Sequence, residues 1–398
     1  MKKIILCIAL FSAGAVHAQP GGQAGDVAAG SDGTCPPGTT ETRPNVCRAP
    51  EFPAPSILDY RPRSTLVVPA HPVRRAKFPV IDFHGHPRGL VNSAEGLAQL
   101  GASLDSLNVQ IMVVAELLSG ERLARTVAAV KASPKMKDRV RVLTGIDFSN
   151  VGPGWAERAV AQLEQDIAAG AVGVGEIGKG LGLSIRKADG TRLRIDDPIL
   201  DPVWQAAARL GVPVFIHTAD PQEFFHPQID YTNERWLELA LFPGRRFPPD
   251  RFPSFEQLMQ ERNNLFRKHP RTTFVAAHMG WHANDLAKLG KMLDAYPNVY
   301  TEMGAVLYDI GRQPRAAHDF FVKYQDRILF GKDSYQPEEY PYYWRVFETR
   351  DDYFDYYRGY HAFWKLYGIA LPDTVLRKVY YANALKITRG LPRSAWRQ

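Results

Sequence analysis

From residue 78 onward, short apolar segments alternate with longer segments in which apolar residues recur every three or four positions. The short segments are β-branched or almost continuously apolar, which is typical of strands that are buried on both faces. The longer segments have the period of amphipathic helices, and Gly or Pro ends several of them, as helix C-termini prefer. The eight predicted strands are FPVIDFHGH, VQIMVVAEL, VRVLTGIDF, AVGVGEIG, VPVFIHTA, TTFVAAHMG, VYTEMG and RILFGKDS.

A helical segment follows each predicted strand, and the last of them is PDTVLRKVYYANALKI. Eight β-then-α units in a row predict a parallel (β/α)8 barrel. A doubly wound open sheet is the alternative, but it usually has fewer strands and does not place polar residues at so many strand ends. We therefore assign residues 76–392 to one barrel domain, since this length is normal for such a barrel with insertions.

Two long insertions interrupt the alternation, residues 220–253 after strand five and residues 335–360 after strand eight. Both leave the C-terminal ends of strands, where the active sites of such barrels lie. The second is crowded with aromatic side chains, which would form an adhesive patch if they were left exposed. We expect these rings to pack into a lid or pocket wall. A subunit interface, which would make the protein a homo-oligomer, is the alternative.

The N-terminal 75 residues do not have the barrel pattern. Residues 1–18 combine two lysines, an apolar segment too short to span a bilayer, and small residues at Val16 and Ala18. This is the pattern of a cleaved signal peptide, so we expect a secreted or periplasmic protein. Residues 19–75 are rich in Gly, Pro and Ala without a period of 2 or 3.6, which predicts a flexible or surface-wrapped arm.

Two cysteines, Cys35 and Cys47, lie in this arm, and the third is in the signal peptide. In an oxidising compartment the economical interpretation is a local disulfide, which stabilises a loop of this length by roughly 3 kcal/mol. A metal site is the alternative, but it would need further soft ligands, and the surrounding sequence contains none.

The net charge of +7 is spread over the chain. Basic runs such as PVRRAK and FPGRR are short, and aromatic residues are not interleaved with them as in nucleic-acid-binding proteins. After the signal peptide no apolar run approaches transmembrane length. These features argue against specific nucleic-acid binding and against membrane insertion.

His84 and His86 stand two positions apart near the end of strand one. Side chains at this spacing on a strand project to the same face, here into the barrel mouth. A single histidine is more often a packed or solvated residue than a ligand, but two at strand spacing indicate metal ligation. Asp82 lies two residues earlier on the same face, where it would either support the ligands or serve only the fold.

Three further candidates occupy the same place in their own units. His217 ends strand five, His278 ends strand six, and Asp333 ends strand eight. Four of only eleven histidines at strand ends, with an acid at the last strand, are hard to obtain from packing alone. Histidine nitrogens together with a carboxylate suit Zn²⁺, and they suit Mn²⁺ or Fe²⁺ less well.

These motifs, FHGH, IHTAD, AAHMG and FGKDS together with the final YYANALKI helix, resemble the amidohydrolase superfamily. The most similar branch includes aminocarboxymuconate-semialdehyde decarboxylase and resorcylate decarboxylases, and the resemblance covers about residues 78–390. It implies one divalent metal ion, most often zinc, and a catalytic histidine at His278. The metal ligands that the resemblance implies are His84, His86, His217 and Asp333.

Strand four contains Glu176 in VGEIGKG, where relatives with two metal ions place a bridging lysine or glutamate. Two arrangements follow. With one ion, Glu176 contacts the substrate or supports a ligand, while His278 polarises the substrate or transfers a proton and Asp333 also accepts the proton of the attacking water. With two ions, Glu176 bridges them and His278 becomes a ligand of the second.

Two arginines near the predicted mouth are candidates for binding a substrate carboxylate. Arg88 follows the paired histidines directly, and Arg235 lies in the insertion after strand five. A guanidinium group binds a carboxylate through two parallel hydrogen bonds, which favours arginine in this role. Simple solvent exposure is the alternative for both.

The leading functional hypothesis is hydrolysis of an amide, ester or lactone-like bond of a small molecule by metal-activated water. The alternative within enzymes is non-oxidative decarboxylation of an aromatic or unsaturated acid. The predicted export favours hydrolysis, because the resemblance implies that decarboxylases of this branch act in the cytoplasm. A catalytically inactive barrel that only binds its partner is a third hypothesis, and the complete ligand set argues against it.

Overall fold

The structure is a computed structural model that describes residues 25–361, 364–393 and 396. The predicted signal peptide, residues 1–18, lies outside the described residues. The chain divides into two units, Met1–Thr65 and Leu66–Gln398.

The first unit contains a small antiparallel sheet that the sequence pattern did not predict. Its strands are β1 (Asp26–Ala28), β2 (Thr40–Arg43) and β3 (Val46–Arg48), in the order β1–β3–β2. A disulfide joins Cys35 to Cys47, and Cys47 is fully buried. The strands are short and mostly exposed, so they do not produce the alternation of apolar and polar residues by which strands are recognised.

The second unit confirms the predicted (β/α)8 barrel. Its strands, all parallel, are β4 (Val80–His86), β5 (Val109–Leu118), β6 (Val140–Thr144), β7 (Val174–Ile177), β8 (Val214–Ile216), β9 (Phe274–Ala276), β10 (Val299–Glu302), β11 (Ile328–Leu329) and β12 (Asp333–Ser334). They form one sheet in the order β11–β10–β9–β8–β7–β6–β5–β4–β12.

The eighth predicted strand is split into β11 and β12, and together the two segments close the ring. β11 pairs with β10, and β12 pairs with the end of β4. Between them the Phe330 carbonyl accepts a 3.0 Å hydrogen bond from the Phe83 amide. The first and last strands therefore meet, which places Asp333 beside the end of the strand that contains His84 and His86.

Helices follow the strands, as the 3.6-residue period predicted. Ser93 caps the first helix by accepting a hydrogen bond from the Gly96 amide, and Gly211 ends the fifth in a left-handed conformation. A π-helical turn, Lys378–Ala382, joins the last two. The helices are α1 (Ala94–Leu107), α2 (Gly120–Ala132), α3 (Trp155–Ala169), α4 (Gly180–Leu183), α5 (Asp201–Leu210), α6 (Trp236–Leu241), α7 (Phe255–Lys268), α8 (Leu286–Ala295), α9 (Leu307–Arg312), α10 (Pro314–Lys323), α11 (Tyr340–Glu348), α12 (Asp373–Arg377) and α13 (Asn383–Ile387).

Two apolar layers hold the barrel together. The inner layer combines residues from most of the strands, such as Phe83, Phe215 and Leu329, and only the interior of a closed sheet brings these together. The outer layer packs strand residues such as Val80 against helix residues such as Leu100. Because side chains fill the interior, the polar residues at the strand ends line a site at the mouth of the barrel and not a pore.

The aromatic insertion after the eighth strand packs against the barrel within the chain. Tyr340, Tyr343 and Trp344 of α11 are fully buried, and their ring centroids lie 4.8–6.3 Å from that of Phe330. These three rings therefore belong to the packed core of the chain, and the lid or pocket wall stays a prediction. Among the described residues, no helix has the length and apolar character that crossing a membrane requires.

Candidate active site

Two histidines from β4 and a carboxylate from β7 meet at the mouth of the barrel. The Nε2 atoms of His84 and His86 are 3.1 Å apart. Glu176 Oε2 is 3.3 Å from His84 Nε2 and 3.2 Å from His86 Nε2. His84 is fully buried, so its imidazole is held by the barrel itself. The first pair of histidines therefore shares one oxygen of Glu176.

The other oxygen of Glu176 faces a second pair of histidines. Glu176 Oε1 is 2.7 Å from His217 Nδ1 and 3.7 Å from His278 Nε2. These two ring nitrogens are 3.3 Å apart. His217 and His278 come from the ends of the neighbouring strands β8 and β9. The carboxylate thus stands between two pairs of histidines, with one oxygen directed to each pair.

Hydrogen bonds determine which ring nitrogen of His84 and of His278 points into the site. His278 Nδ1 donates to the Gly304 carbonyl at 2.7 Å, and His84 Nδ1 is 3.1 Å from Glu302 Oε1. When Nδ1 holds the proton, Nε2 has the lone pair that a metal ion needs. Both Nε2 atoms therefore face the site, and each can offer a lone pair to a metal ion once it has lost its proton.

His217 is oriented the other way round. Its Nδ1 faces Glu176, while its Nε2 is buried and 3.6 Å from Asp220 Oδ1, which is longer than a hydrogen bond. Asp220 in turn forms an ion pair with Lys179. At this distance the Asp220 carboxylate acts by its charge, which makes the imidazole more basic, as carboxylates behind the ligating histidines of metal sites do.

Glu302, at the end of β10, is a site residue that the sequence analysis missed. It is fully buried, and it accepts hydrogen bonds from the amides of His278 at 2.6 Å and Gly304 at 2.5 Å. The same carboxylate faces His84 Nδ1, so it holds one histidine by its ring and the other by its backbone. The sequence did contain a signal, since VYTEMG puts an acid at the end of strand seven.

Asp333 lies at the exposed edge of the cluster. Its Oδ1 is 3.8 Å from His84 Nε2 and 3.7 Å from His86 Nε2. The side chains of Asp333 and His86 are 29% and 23% exposed, whereas that of His278 is 2% exposed. A cavity of about 550 Å³ opens on this side and is lined by both residues. Water and small molecules therefore reach the cluster past His86 and Asp333.

Charge interactions in the cluster are strong because it is buried. Burial would raise the pKa of Glu176, but His84 and His217 hold it well below its ordinary value. Burial would lower the pKa of His217, but Glu176 and Asp220 raise it to about 9. Protons on the imidazoles thus balance the carboxylates, and a bound cation would take the place of these protons.

The donor atoms fit a divalent metal ion. Imidazole nitrogens and carboxylate oxygens are the usual ligands of Zn²⁺, and imidazole and carboxylate also bind Fe²⁺ and Mn²⁺. Among the described residues, several groups of three side chains have ligand atoms that all lie within 4.8 Å of one another. They include His84, His86 and Glu176; Glu176, His217 and His278; and His84, His278 and Glu302. The distances among His84, His86 and Asp333 are also below this limit.

This grouping differs from the one-ion ligand set that the sequence resemblance implied. His84 and His86 form one group with Glu176, whereas His217 belongs to the group on the other side of that carboxylate. Asp333 is near the first group but outside the closest contacts. The structure therefore brings the expected residues together, with Glu176 at the centre, as in the two-ion arrangement.

The two candidate arginines have different surroundings. Arg88 is exposed and lines the 550 Å³ cavity beside His86. Arg235 is only 2% exposed and forms a 2.8 Å ion pair with Glu238, so it already has a carboxylate partner within the protein. The position of Arg88 thus agrees better with contact to a substrate.

Asp82 connects the first and last strands beneath the site. Its Oδ1 accepts hydrogen bonds of 3.1 Å from the amides of His84 and Lys332, and its Oδ2 accepts one of 2.6 Å from Tyr340. It makes no contact with the ring of a histidine, and it is fully buried. Asp82 therefore fixes the backbone on which His84 and Asp333 stand.

Similarity to known proteins extends over most of the barrel unit. A family model described as amidohydrolase matches residues 81–389. Curated protein sequences give no match. Similar solved structures include a TIM-barrel protein from Bordetella bronchiseptica, with 16% identity, a TM-score of 0.47 and coverage of 79% of this chain and 100% of that one. An amidohydrolase from Burkholderia multivorans with bound zinc has 15% identity, a TM-score of 0.43 and coverage of 79% and 100%.

Proposed function

The chain belongs to the amidohydrolase family, and from this premise we propose that it is a metal-dependent hydrolase of a small molecule. The bond that it cleaves is an amide, ester or lactone-like bond, and water is the nucleophile. The observation that carries the proposal is the position of Glu176, whose two oxygens face two different pairs of histidines. Such a carboxylate has room for a cation on either side, and paired cations suit hydrolysis.

The two pairs of histidines define two cation positions. His84, His86 and Glu176 Oε2 would hold one divalent ion, with Asp333 on its exposed side. His217, His278 and Glu176 Oε1 would hold the other. We propose zinc, because the donors are imidazole nitrogens and carboxylate oxygens. When bound, such ions polarise a carbonyl group and lower the pKa of water towards neutrality.

Other residues at the site accept a proton, orient the histidines and exclude water. Asp333 faces the cavity by which water enters, so its carboxylate is placed to accept the proton of the attacking water. Glu302 orients the imidazole of His84 and holds the backbone of His278. Trp281 covers the second pair of histidines, with its ring centroid 4.6 Å from that of His278 and 5.7 Å from that of His217. Bulk water is therefore excluded from that side.

Metal analysis combined with a substrate panel tests the proposal. The purified protein should contain two zinc ions per chain, and a chelator should abolish its hydrolysis of esters, lactones or amides. Added zinc should restore the activity. Release of carbon dioxide from aromatic or unsaturated acids, without any hydrolysis, would show that the enzyme is a decarboxylase. A protein that binds no divalent ion would refute both reactions.

The compartment is part of the proposal. We place the mature enzyme outside the cytoplasm, because the first eighteen residues have the pattern of a cleaved signal peptide. Recovery of the protein from the periplasm or the medium, with Gln19 as its first residue, is the expected result. An intact N-terminus on cytoplasmic protein would contradict it, without affecting the proposed chemistry.

A further inference from the structure

Arg262, on α7, is a buried cation without a carboxylate partner among the described residues. It is 1% exposed, and no described Asp or Glu lies within ion-pair distance of its guanidinium group. Burial lowers its pKa to about 10, so it remains charged at neutral pH. An apolar side chain of similar volume would be cheaper to bury there, so fold stability alone does not explain an arginine at this position.

The hydrogen bonds of Arg262 lead to the loop that contains His278. Its Nη1 atom donates to the Gly280 carbonyl at 2.6 Å. Its Nη2 atom donates to Asn263 Oδ1 at 3.1 Å and lies 3.5 Å from His282 Nε2. Burial and the nearby guanidinium group lower the pKa of His282 to about 2, so this imidazole is a neutral acceptor. The guanidinium group thus connects α7 to both ends of the Gly280–His282 segment.

The backbone of this loop is in an unusual conformation. Four consecutive residues have left-handed φ angles: His278 at 56°, Met279 at 52°, Gly280 at 58° and Trp281 at 53°. Residues other than glycine disfavour this region of φ. Several such residues in a row persist only where the surrounding structure holds the backbone in place. The Glu302 carboxylate holds the start of the loop through the His278 amide. Arg262 holds the middle through the Gly280 carbonyl.

We infer that Arg262 is a positioning residue for His278. It acts indirectly, because its hydrogen bond to the Gly280 carbonyl keeps the loop in its left-handed conformation. The inference rests on the proposed function for the role of His278 as a metal ligand. It goes beyond that function because Arg262 touches neither a donor atom of the site nor the cavity. Its charge strengthens the hydrogen bond to Gly280, and the loop then directs His278 Nε2 towards Glu176 and His217.

Replacement of Arg262 by methionine tests the inference, with cobalt(II) as the probe because its visible spectrum reports its ligands. In Arg262→Met, cobalt should bind about 10- to 100-fold more weakly at one of the two positions, which is the usual effect of losing a group that orients a ligand. The absorption of the bound cobalt should change. Arg262→Lys keeps a cation that donates to Gly280, so it should restore most of the affinity.

Arg192→Met is the matched control. Arg192 also packs against α7, through a 3.0 Å bond from its Nη1 atom to Glu261, but it has no contact with the loop. This variant should lower the melting temperature without changing the cobalt spectrum. Gly280→Ala is a second way to disturb the same contact, because an added Cβ would lie 2.9 Å from Arg262 Nη1. It should reproduce the loss of cobalt affinity.

Two outcomes would overturn the inference. One is that Arg262→Met and Arg192→Met lower the melting temperature alike and leave cobalt binding unchanged. The other is that Arg262→Lys binds cobalt as weakly as Arg262→Met. If the wild type binds no cobalt, the proposed function fails by itself. The positioning role of Arg262 is then tested by the imidazole NMR signals of His278, which should shift in Arg262→Met but not in Arg192→Met.

Discussion

Two buried polar clusters lie in the barrel unit, and they differ in how their charges are balanced. The first, here called the metal-site cluster, consists of His84, His86, Glu176, His217, His278 and Glu302. Histidines are the only cationic side chains near Glu176 and Glu302, since among the described residues no Lys or Arg lies within ion-pair distance of them. The second cluster, here called the Arg235 cluster, contains a cation for each of its acids. Its members are Arg235, Glu238, Tyr308, Asp309, Arg312 and His361.

The pairing in the Arg235 cluster is direct. Arg235 is 2.8 Å from Glu238 and stacks 4.4 Å above the ring of Tyr308, while Arg312 is 2.7 Å from Asp309. A buried charge that is already paired within the protein is part of the fold, and its partner largely cancels the charge that would attract a ligand. Carboxylates that have only titratable imidazoles as partners remain open to an external cation. Burial is common to both clusters, so the source of the countercharge is what distinguishes the candidate active site.

Replacement of Glu176 should have the largest effect. Glu176→Gln removes the negative charge that both pairs of histidines share, so we expect most of the bound metal to be lost. Hydrolysis should fall by roughly 100- to 10,000-fold. Glu238→Gln in the Arg235 cluster is the control, and it should keep its metal while unfolding more easily. Metal analysis of both variants tests this prediction. Full metal content in Glu176→Gln would remove the distinction between the clusters.

His278→Ala ranks second, because it should affect one half of the site. With two ions bridged by Glu176, the variant should lose about half of its metal, while the ion at His84 and His86 stays. With one ion, the metal content should stay nearly unchanged and the rate should fall by roughly 100- to 10,000-fold, since a proton-transfer group is lost. Metal content measured beside the rate separates these cases. If neither changes, His278 has only a structural role.

The sequence was sufficient for the fold, and it named most of the side chains that the structure brings together in the candidate site. His84 and His86 at strand spacing, and His217, His278 and Asp333 at strand ends, were visible because a barrel gathers all strand ends at one face. The closed parallel sheet then confirmed the eight predicted units. Period and spacing are local properties, so the sequence displays them directly.

What the sequence did not reveal depends on distances between strands. The central place of Glu176 follows from the direction of its two oxygens, and Glu302 was missed although it ends a strand in the same way as its neighbours. Arg235 was a candidate for substrate binding until the fold placed Glu238 beside it. Side-chain direction and partner choice are set by packing, which a strand pattern does not report.

Arg235→Met should affect stability but not the metal. Removing the guanidinium group leaves Glu238 buried, although Arg245 still pairs with it, so we expect a loss of about 3 kcal/mol in the free energy of unfolding. Metal content and kcat should remain close to those of the wild type. Urea denaturation and metal analysis check the two statements. A large loss of metal would show that the Arg235 cluster supports the metal-site cluster and is not independent of it.

Asp309 should give the smallest effect, and it tests whether the Arg235 cluster is fully balanced. Burial raises the pKa of Asp309 from 3.8 to about 6, although Arg312 opposes the shift. Because the folded-state pKa is the higher one, the carboxyl contributes stability below about pH 4 and loses that contribution as the pH rises through about 6.

The variant Asp309→Asn tests this prediction, because it removes the titration of the carboxyl group. Between about pH 4 and pH 7 the stability of metal-free wild type, relative to the metal-free variant, should fall by about 2 kcal/mol. Urea denaturation at several pH values measures this difference, and metal-free protein is used so that ion release does not contribute. A constant difference would mean that Arg312 keeps Asp309 ionised throughout, so that each charge in the cluster is fully compensated.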